Sequence, residues 1–168
     1  ILTDLRKMPD TMRQLAIVQF FSWLALFSMW IYTTSAITGH VYGTTDTTSV
    51  AYNDGADWVG VLFGGYNGAA ALFAFLLPVL AKLTSRKMTH SISLIAGALG
   101  LCSIILIKDP NLLIIPFIGI GLAWASILSM PYAILTGSLP QTKMGVYMGI
   151  FNFFIVIPQI LAATILGF

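Results

Sequence analysis

Charge is what this 168-residue chain lacks: only 8 % of its residues are Asp, Glu, Lys or Arg, against 58 % hydrophobic ones. Ordinary soluble domains carry about a quarter charged residues, so a water-soluble globular protein is excluded. Cysteine is nearly absent as well, and the single Cys102 leaves no intrachain disulfide and no thiolate metal site to build. The two histidines, His40 and His90, stand far apart in sequence with no metal-ligand spacing around them. No G-x-S-x-G, H-E-x-x-H or glycine-rich phosphate loop occurs, so an enzyme is not expected. The formal net charge of +2 is too small and too scattered for a nucleic-acid partner.

What is present is apolar sequence in long pieces. The eight basic and six acidic side chains fall in clusters and leave uncharged runs at 14–45, 58–81, 88–107, 110–142 and 144–168, each 20 residues or longer. At a rise of 1.5 Å per residue, about 20 apolar residues cross a hydrocarbon core of roughly 30 Å. The expectation is an all-α membrane protein with five transmembrane helices, at about 14–37, 58–81, 90–107, 112–136 and 145–167. The first run is too long for the h-region of a signal peptide. Starting at Ile1 and stopping at Phe168 beside apolar sequence, the chain reads as a piece of a longer one.

The connections are polar. Pro9 breaks the charged lead-in from the first span, and Gly39 to Asp57 has the Gly, Thr and Asp content of a solvated loop. Trp58 opens the second span at the depth where indoles favour the membrane interface. Alternate ends of the five spans collect Arg6, Lys7, Arg13, Lys82, Arg86, Lys87 and Lys143 on one side, and only Lys108 falls on the other. The positive-inside rule then places the N-terminal end in the cytoplasm.

Within the spans, spacing separates faces. Gly60, Gly64 and Gly68, with Ala71 continuing the row, read as a helix-packing stripe of the G-x-x-x-G kind. Asn67 beside them needs a partner at membrane depth, either a neighbouring helix or a polyhydroxy substrate. Gln19, Trp23 and Trp30 share one side of the first span, which suits a sugar whose apolar ring face stacks on indole and whose hydroxyls bond amides; the alternative is a bulky lipid-facing or core stripe. Asn152 and Gln159 share a face of the fifth span beside Pro158, either as interhelical hydrogen bonds or as substrate contacts. In the fourth span, Gly119, Gly121, Trp124, Ser126, Ser129, Pro131 and Tyr132 form the densest polar and kinked patch, expected at a cavity, with Pro131 releasing the carbonyl of Ile127. No Asp, Glu, Lys or Arg lies in the middle of a span, and His90 reads as a membrane-boundary residue, so no ion-coupling group stands out. The cavity-lining candidates are Gln19, Trp23, Trp30, Asn67, Trp124, Ser126, Asn152 and Gln159.

Several stretches resemble a known family. RQLAIVQFFSWLALFSMWIYTT followed by GHVYG is similar to the seventh helix of sugar:cation symporters of the major facilitator superfamily. GIGLAWASILSMPYAILTGSLP and KMGVYMGIFNFFIVIPQILAA resemble helices ten and eleven of its branch of glycoside-pentoside-hexuronide symporters and sucrose transporters. Ser129 to Leu135 and the Gly149, Asn152, Pro158, Gln159 pattern carry most of that resemblance. The basic loop Ala81 to Lys87 keeps its positive charge but lacks the glycine and acidic residue of the superfamily's loop signature.

The resemblance implies helices seven to eleven of a twelve-helix transporter in the cell membrane. Its partners would be the lipid bilayer, a small-molecule sugar, and the N-terminal six-helix half and helix twelve of the same protein. It implies symport of a sugar, a disaccharide such as sucrose or maltose, by alternating access. No cofactor beyond a coupling cation, H+ or Na+, is expected, and the family's acidic coupling residues reside largely in the other half. A facilitator exporting drugs or metabolites would use the same helices with a more apolar cavity. A non-transporting membrane scaffold or sensor would use the stripes only to bind partner helices.

Overall fold

The computed structural model describes residues 5–166. Among the described residues are five long α-helices: α1 (Asp10–His40), α2 (Val50–Leu83), α3 (Arg86–Ser103), α4 (Ile114–Thr136) and α5 (Met144–Ile165). Short 3₁₀ turns at Ile104–Leu106, Pro110–Leu113 and Gln141–Lys143 extend α3 and lead into α4 and α5. No strand occurs among the described residues. All five helical segments are long and apolar enough to cross a membrane, and large apolar side chains such as Phe21, Phe75, Leu99 and Leu106 stand exposed along them. Water would not tolerate that surface, and lipid favours it.

Local chemistry sets the helix ends. Pro9 lies just ahead of α1 and its carbonyl accepts from Arg13 N–H, and Asp10 in the first turn pairs with Arg13. Gly43, at φ +67°, takes the left-handed turn that ends α1 and lets Thr44 N–H reach the Thr38 carbonyl at 3.1 Å. Ser49 caps α2 by accepting from Tyr52 N–H at 3.2 Å, and Ser85 caps α3 by accepting from Met88 N–H at 3.1 Å. Asp109 does the same for Asn111 at 2.9 Å, with Pro110 pre-set for the turn that follows.

One boundary departs from the sequence expectation. The stretch 39–57 has loop composition, yet only residues 41–49 are non-helical between α1 and α2. Gly55 sits in α2 because its neighbours demand it: a Cβ there would lie 2.9 Å from both Thr38 and Tyr42. Asp54 and Asp57 fall in the second turn of α2, and the first turn carries no acidic side chain.

The chain divides into two compact units, with α1 and α4 contributing to both. One unit takes in Tyr32–Ser129. Here α3 and α4 meet through small residues: a Cβ on Gly97 would strike that of Ala123 at 2.4 Å, one on Gly100 the Pro116 carbonyl at 2.6 Å, and one on Gly119 the Ala96 carbonyl at 2.9 Å. Gly121 lets α4 lie against α2, where an added Cβ would sit 2.6 Å from the Tyr66 carbonyl. Close backbone approach of this kind is how helices associate when no water is expelled. At one end of this unit the Trp58 indole N–H donates to the Pro110 carbonyl at 2.7 Å, and Lys108 Nζ donates to the His40 carbonyl at 3.3 Å.

The expected packing stripe is elsewhere than predicted. Gly60, Gly64 and Gly68 are exposed, and nothing would meet a Cβ on any of them. The buried face of α2 is Gly55, Val59, Leu62, Tyr66, Ala70 and Leu77, and Gly64 and Gly68 each fall two residues from its nearest members. A two-residue offset turns a helix by about 200°, which puts the stripe on nearly the opposite side from the neighbours the described residues provide.

The other unit combines the first part of α1, the last turns of α4 and α5. Its core is Met12, Leu15 and Ala16, then Ile134, Leu135 and Leu139, then Tyr147, Ile150 and Phe151. Tyr132 meets Phe151 edge to face at 6.0 Å, and Tyr147 Oη donates to the Lys7 carbonyl at 3.4 Å.

Candidate functional site

In α1, Gln19 and Trp23 are one turn apart and Trp30 lies two turns further on, so all three project from one side. Trp23 and Trp30 pack edge to face at 6.2 Å, and Phe27 meets Trp30 in the same manner at 6.1 Å. Gln19 is completely buried, and neither its carbonyl oxygen nor its amide nitrogen has a hydrogen-bond partner among the described residues. A carboxamide offers two donors and an acceptor, and burying it unpaired costs about 1–3 kcal/mol. Ser22 and Ser28 give no relief, since their hydroxyls return to the carbonyls of Val18 and Leu24 on their own helix.

In the same unit, Asn152 is exposed and Gln159 half-buried on α5, seven residues apart and therefore on one face. Neither amide bonds a described residue. Pro158, buried and immediately before Gln159, removes the N–H that the Phe154 carbonyl would otherwise receive. The expected release of a carbonyl at Pro131 has the same cause; Ser129 does not answer it, because its hydroxyl donates to Ala125 O at 2.8 Å.

The Tyr32–Ser129 unit holds the remaining candidates. Asn67 is exposed and spends an amide hydrogen on the Phe63 carbonyl at 2.8 Å, one turn back on α2. Trp124 stacks on Tyr66 with centroids 6.4 Å apart and planes at 26°, while Phe63 bridges Tyr66 and Phe117 edge to face at 6.0 and 5.8 Å. Ser126 is fully buried, and its hydroxyl lies 2.8 Å from His90 Nδ1 on α3.

His90 and Tyr66 are the residues that sequence reasoning passed over. The signal for His90 was its register: His90, Ser93, Gly97 and Gly100 recur at three- and four-residue steps and form the buried face of α3. Its place beside the basic turn suggested a boundary position instead. Tyr66 likewise falls in phase with Val59, Leu62 and Ala70.

Outside the spans, the 41–49 turn is held by Asp46, whose Oδ1 accepts from the Thr48 backbone N–H at 2.9 Å and hydroxyl at 2.7 Å. Those bonds hold its carboxyl below the usual carboxylate range. Burial pushes the Tyr42 phenol up, and the charge of Asp54 adds to it. Among the described residues no group of His, Cys, Asp or Glu is arranged to hold a metal ion.

Comparison with curated proteins and with solved structures returns no match. The family model described as Major Facilitator Superfamily matches residues 2–163, nearly the whole length. With five membrane-capable helices and that match, this multi-pass chain belongs to the major facilitator superfamily of membrane transporters.

Proposed function

We propose that the chain is part of a sugar:cation symporter, supplying helices seven to eleven of a twelve-helix transporter that carries a disaccharide such as sucrose or maltose with H+ or Na+. The observation that supports this reading is Gln19, a fully buried carboxamide whose two polar atoms have no partner among the described residues, one turn from Trp23. Unpaired buried amides are costly, and a polyhydroxy ligand is a neutral molecule able to bond both atoms while its ring face rests on indole. Trp30, Trp124, Asn67, Asn152 and Gln159 supply the same two chemistries elsewhere along the helices, and Ser126 enters through its pair with His90. Substrate passage would follow the alternating access of transporters with midplane sites. The proposed setting is the cell membrane with the first described residues in the cytoplasm.

The test is uptake of radiolabelled sucrose and maltose into vesicles carrying the full-length protein, with proton or sodium gradients imposed or collapsed. Gradient-dependent accumulation is expected, with Gln19→Ala raising KM at least tenfold. A native protein that accumulates neither sugar, or a Gln19→Ala variant with unchanged KM, sinks the reading; drug export or a scaffold role would then take its place.

A further inference from the structure

His90 is the one histidine buried within the described spans, and no Asp, Glu, Lys or Arg is among the buried residues. Its Nδ1 is engaged by Ser126 Oγ at 2.8 Å, whereas Nε2 is buried without a partner among the described residues. Two neutral arrangements satisfy this geometry. Either Nδ1–H donates to Ser126 and Nε2 is bare, or Ser126 donates to Nδ1 and an N–H at Nε2 meets no acceptor. An imidazolium carries N–H on both nitrogens, so it always presents an unmet charged donor at Nε2 in this packing.

The surrounding charges give it no anion. On α3, Arg86 and Lys87 precede His90 by about one turn; on α2, Lys82 lies at the same end, Tyr66 in the middle, and Asp54 and Asp57 at the far end. On α4, between Ile114 and Thr136, the only titratable side chain is Tyr132, and none is charged. The doubly protonated ring therefore belongs to a different local arrangement, in which Nε2 reaches water or an acceptor and the bond to Ser126 is rearranged. Gly97 facing Ala123 and Gly100 facing the Pro116 carbonyl make α3 and α4 a close, nearly side-chain-free contact, in which one side-chain bond weighs heavily.

We propose that His90 and Ser126 form a proton-linked latch between α3 and α4: neutral His90 holds the two helices in the packing described, and proton uptake favours their separation. The latch rests on the reading of the chain as a symporter for its role, as the group through which a proton drives the conformational cycle. By linkage, whatever state hydrates Nε2 is favoured by acid, by at most about tenfold per pH unit for one proton.

The test is hydrogen exchange of the α3 backbone in the full-length protein in lipid nanodiscs at pH 8 and 5.5, corrected for the intrinsic pH dependence of exchange. Exchange in Arg86–Ser103 is expected to rise at least fivefold on acidification. His90→Asn, whose amide can still reach Ser126 but cannot titrate, removes that step; Ser126→Ala raises exchange at both pH values and shrinks it. A native α3 whose exchange ignores pH, or the same step in His90→Asn, overturns the latch. In liposomes, His90→Asn is expected to lower the ratio of proton-driven sugar accumulation to sugar exchange at least tenfold, and an unchanged ratio overturns the coupling role. A native protein that moves no sugar but shows the α3 step defeats the sugar reading and leaves the latch standing.

Discussion

Removing a polar group that has no partner relieves a cost, and this makes Gln19 a sharp test at the residue scale. Gln19→Met keeps most of the side-chain volume and deletes the unpaired carboxamide, so thermal unfolding in detergent is expected to show a gain of about 1–2 kcal/mol. Sugar affinity, measured on the same sample by equilibrium binding, is expected to fall, because stability and function are opposed at a site built for a ligand. A lower Tm in Gln19→Met would mean that the amide is satisfied and the residue is structural. Asp46 offers a second residue-scale test. Its carboxyl is held low by Thr48, so its support of the 41–49 turn is fully present above the ordinary Asp range near pH 3.9 and is lost as pH falls through the lower folded value. Hydrogen exchange at Thr48 should therefore rise, after correction, as pH is taken below 4, and Asp46→Asn should remove the change. Spacing made the Gln19, Trp23 and Trp30 side legible in the sequence, because a helix repeats its faces every three to four residues. What spacing could not supply was the hydrogen-bond partner: Asn67 turns back to its own helix, and Ser126 meets a histidine 36 residues earlier in the chain.

At the scale of elements, existence was readable and adjacency was not. Long uncharged runs leave few alternatives to membrane-crossing helices, and Ser49, Ser85 and Asp109 mark starts by a capping chemistry that is local. Gly60, Gly64 and Gly68 announce a smooth face but not its neighbour, and the contacts fell instead to Gly97, Gly100, Gly119 and Gly121, whose spacing is less regular. Two sets of variants separate these roles. Gly97→Val and Gly100→Ala push side-chain atoms into Ala123 and the Pro116 carbonyl, and each is expected to lower stability by about 1–3 kcal/mol in a thermal-shift measurement. Gly64→Ala meets nothing within 4 Å and gains helix propensity, so its Tm should hold or rise slightly. A Tm that falls as far for Gly64→Ala as for Gly97→Val would show that the open face is covered in the intact protein.

For the whole molecule, the remaining quantity is direction across the membrane. If each of the five helices crosses once, the turns at 41–49 and 107–109 are expected on one side, and those at 84–85 and 137–140 on the other. The structure supports this alternation at one end of the Tyr32–Ser129 unit, where Lys108 bonds His40 and Trp58 bonds Pro110. Basic residues break the symmetry: Lys82, Arg86, Lys87 and Lys143 flank the second pair of turns, whereas the 41–49 turn holds Asp46 and no Lys or Arg. Translocating a lysine or arginine is disfavoured far more than translocating an aspartate, so the second pair is expected in the cytoplasm. Single cysteines test this in a Cys102→Ser background, at the exposed positions Thr47, Asn111 and Thr142. A membrane-impermeant maleimide on intact cells should label Thr47→Cys and Asn111→Cys, and should reach Thr142→Cys only after permeabilisation. The reverse pattern inverts the orientation, and Thr47→Cys and Thr142→Cys labelled together from one side would mean that the number of crossings between them is even.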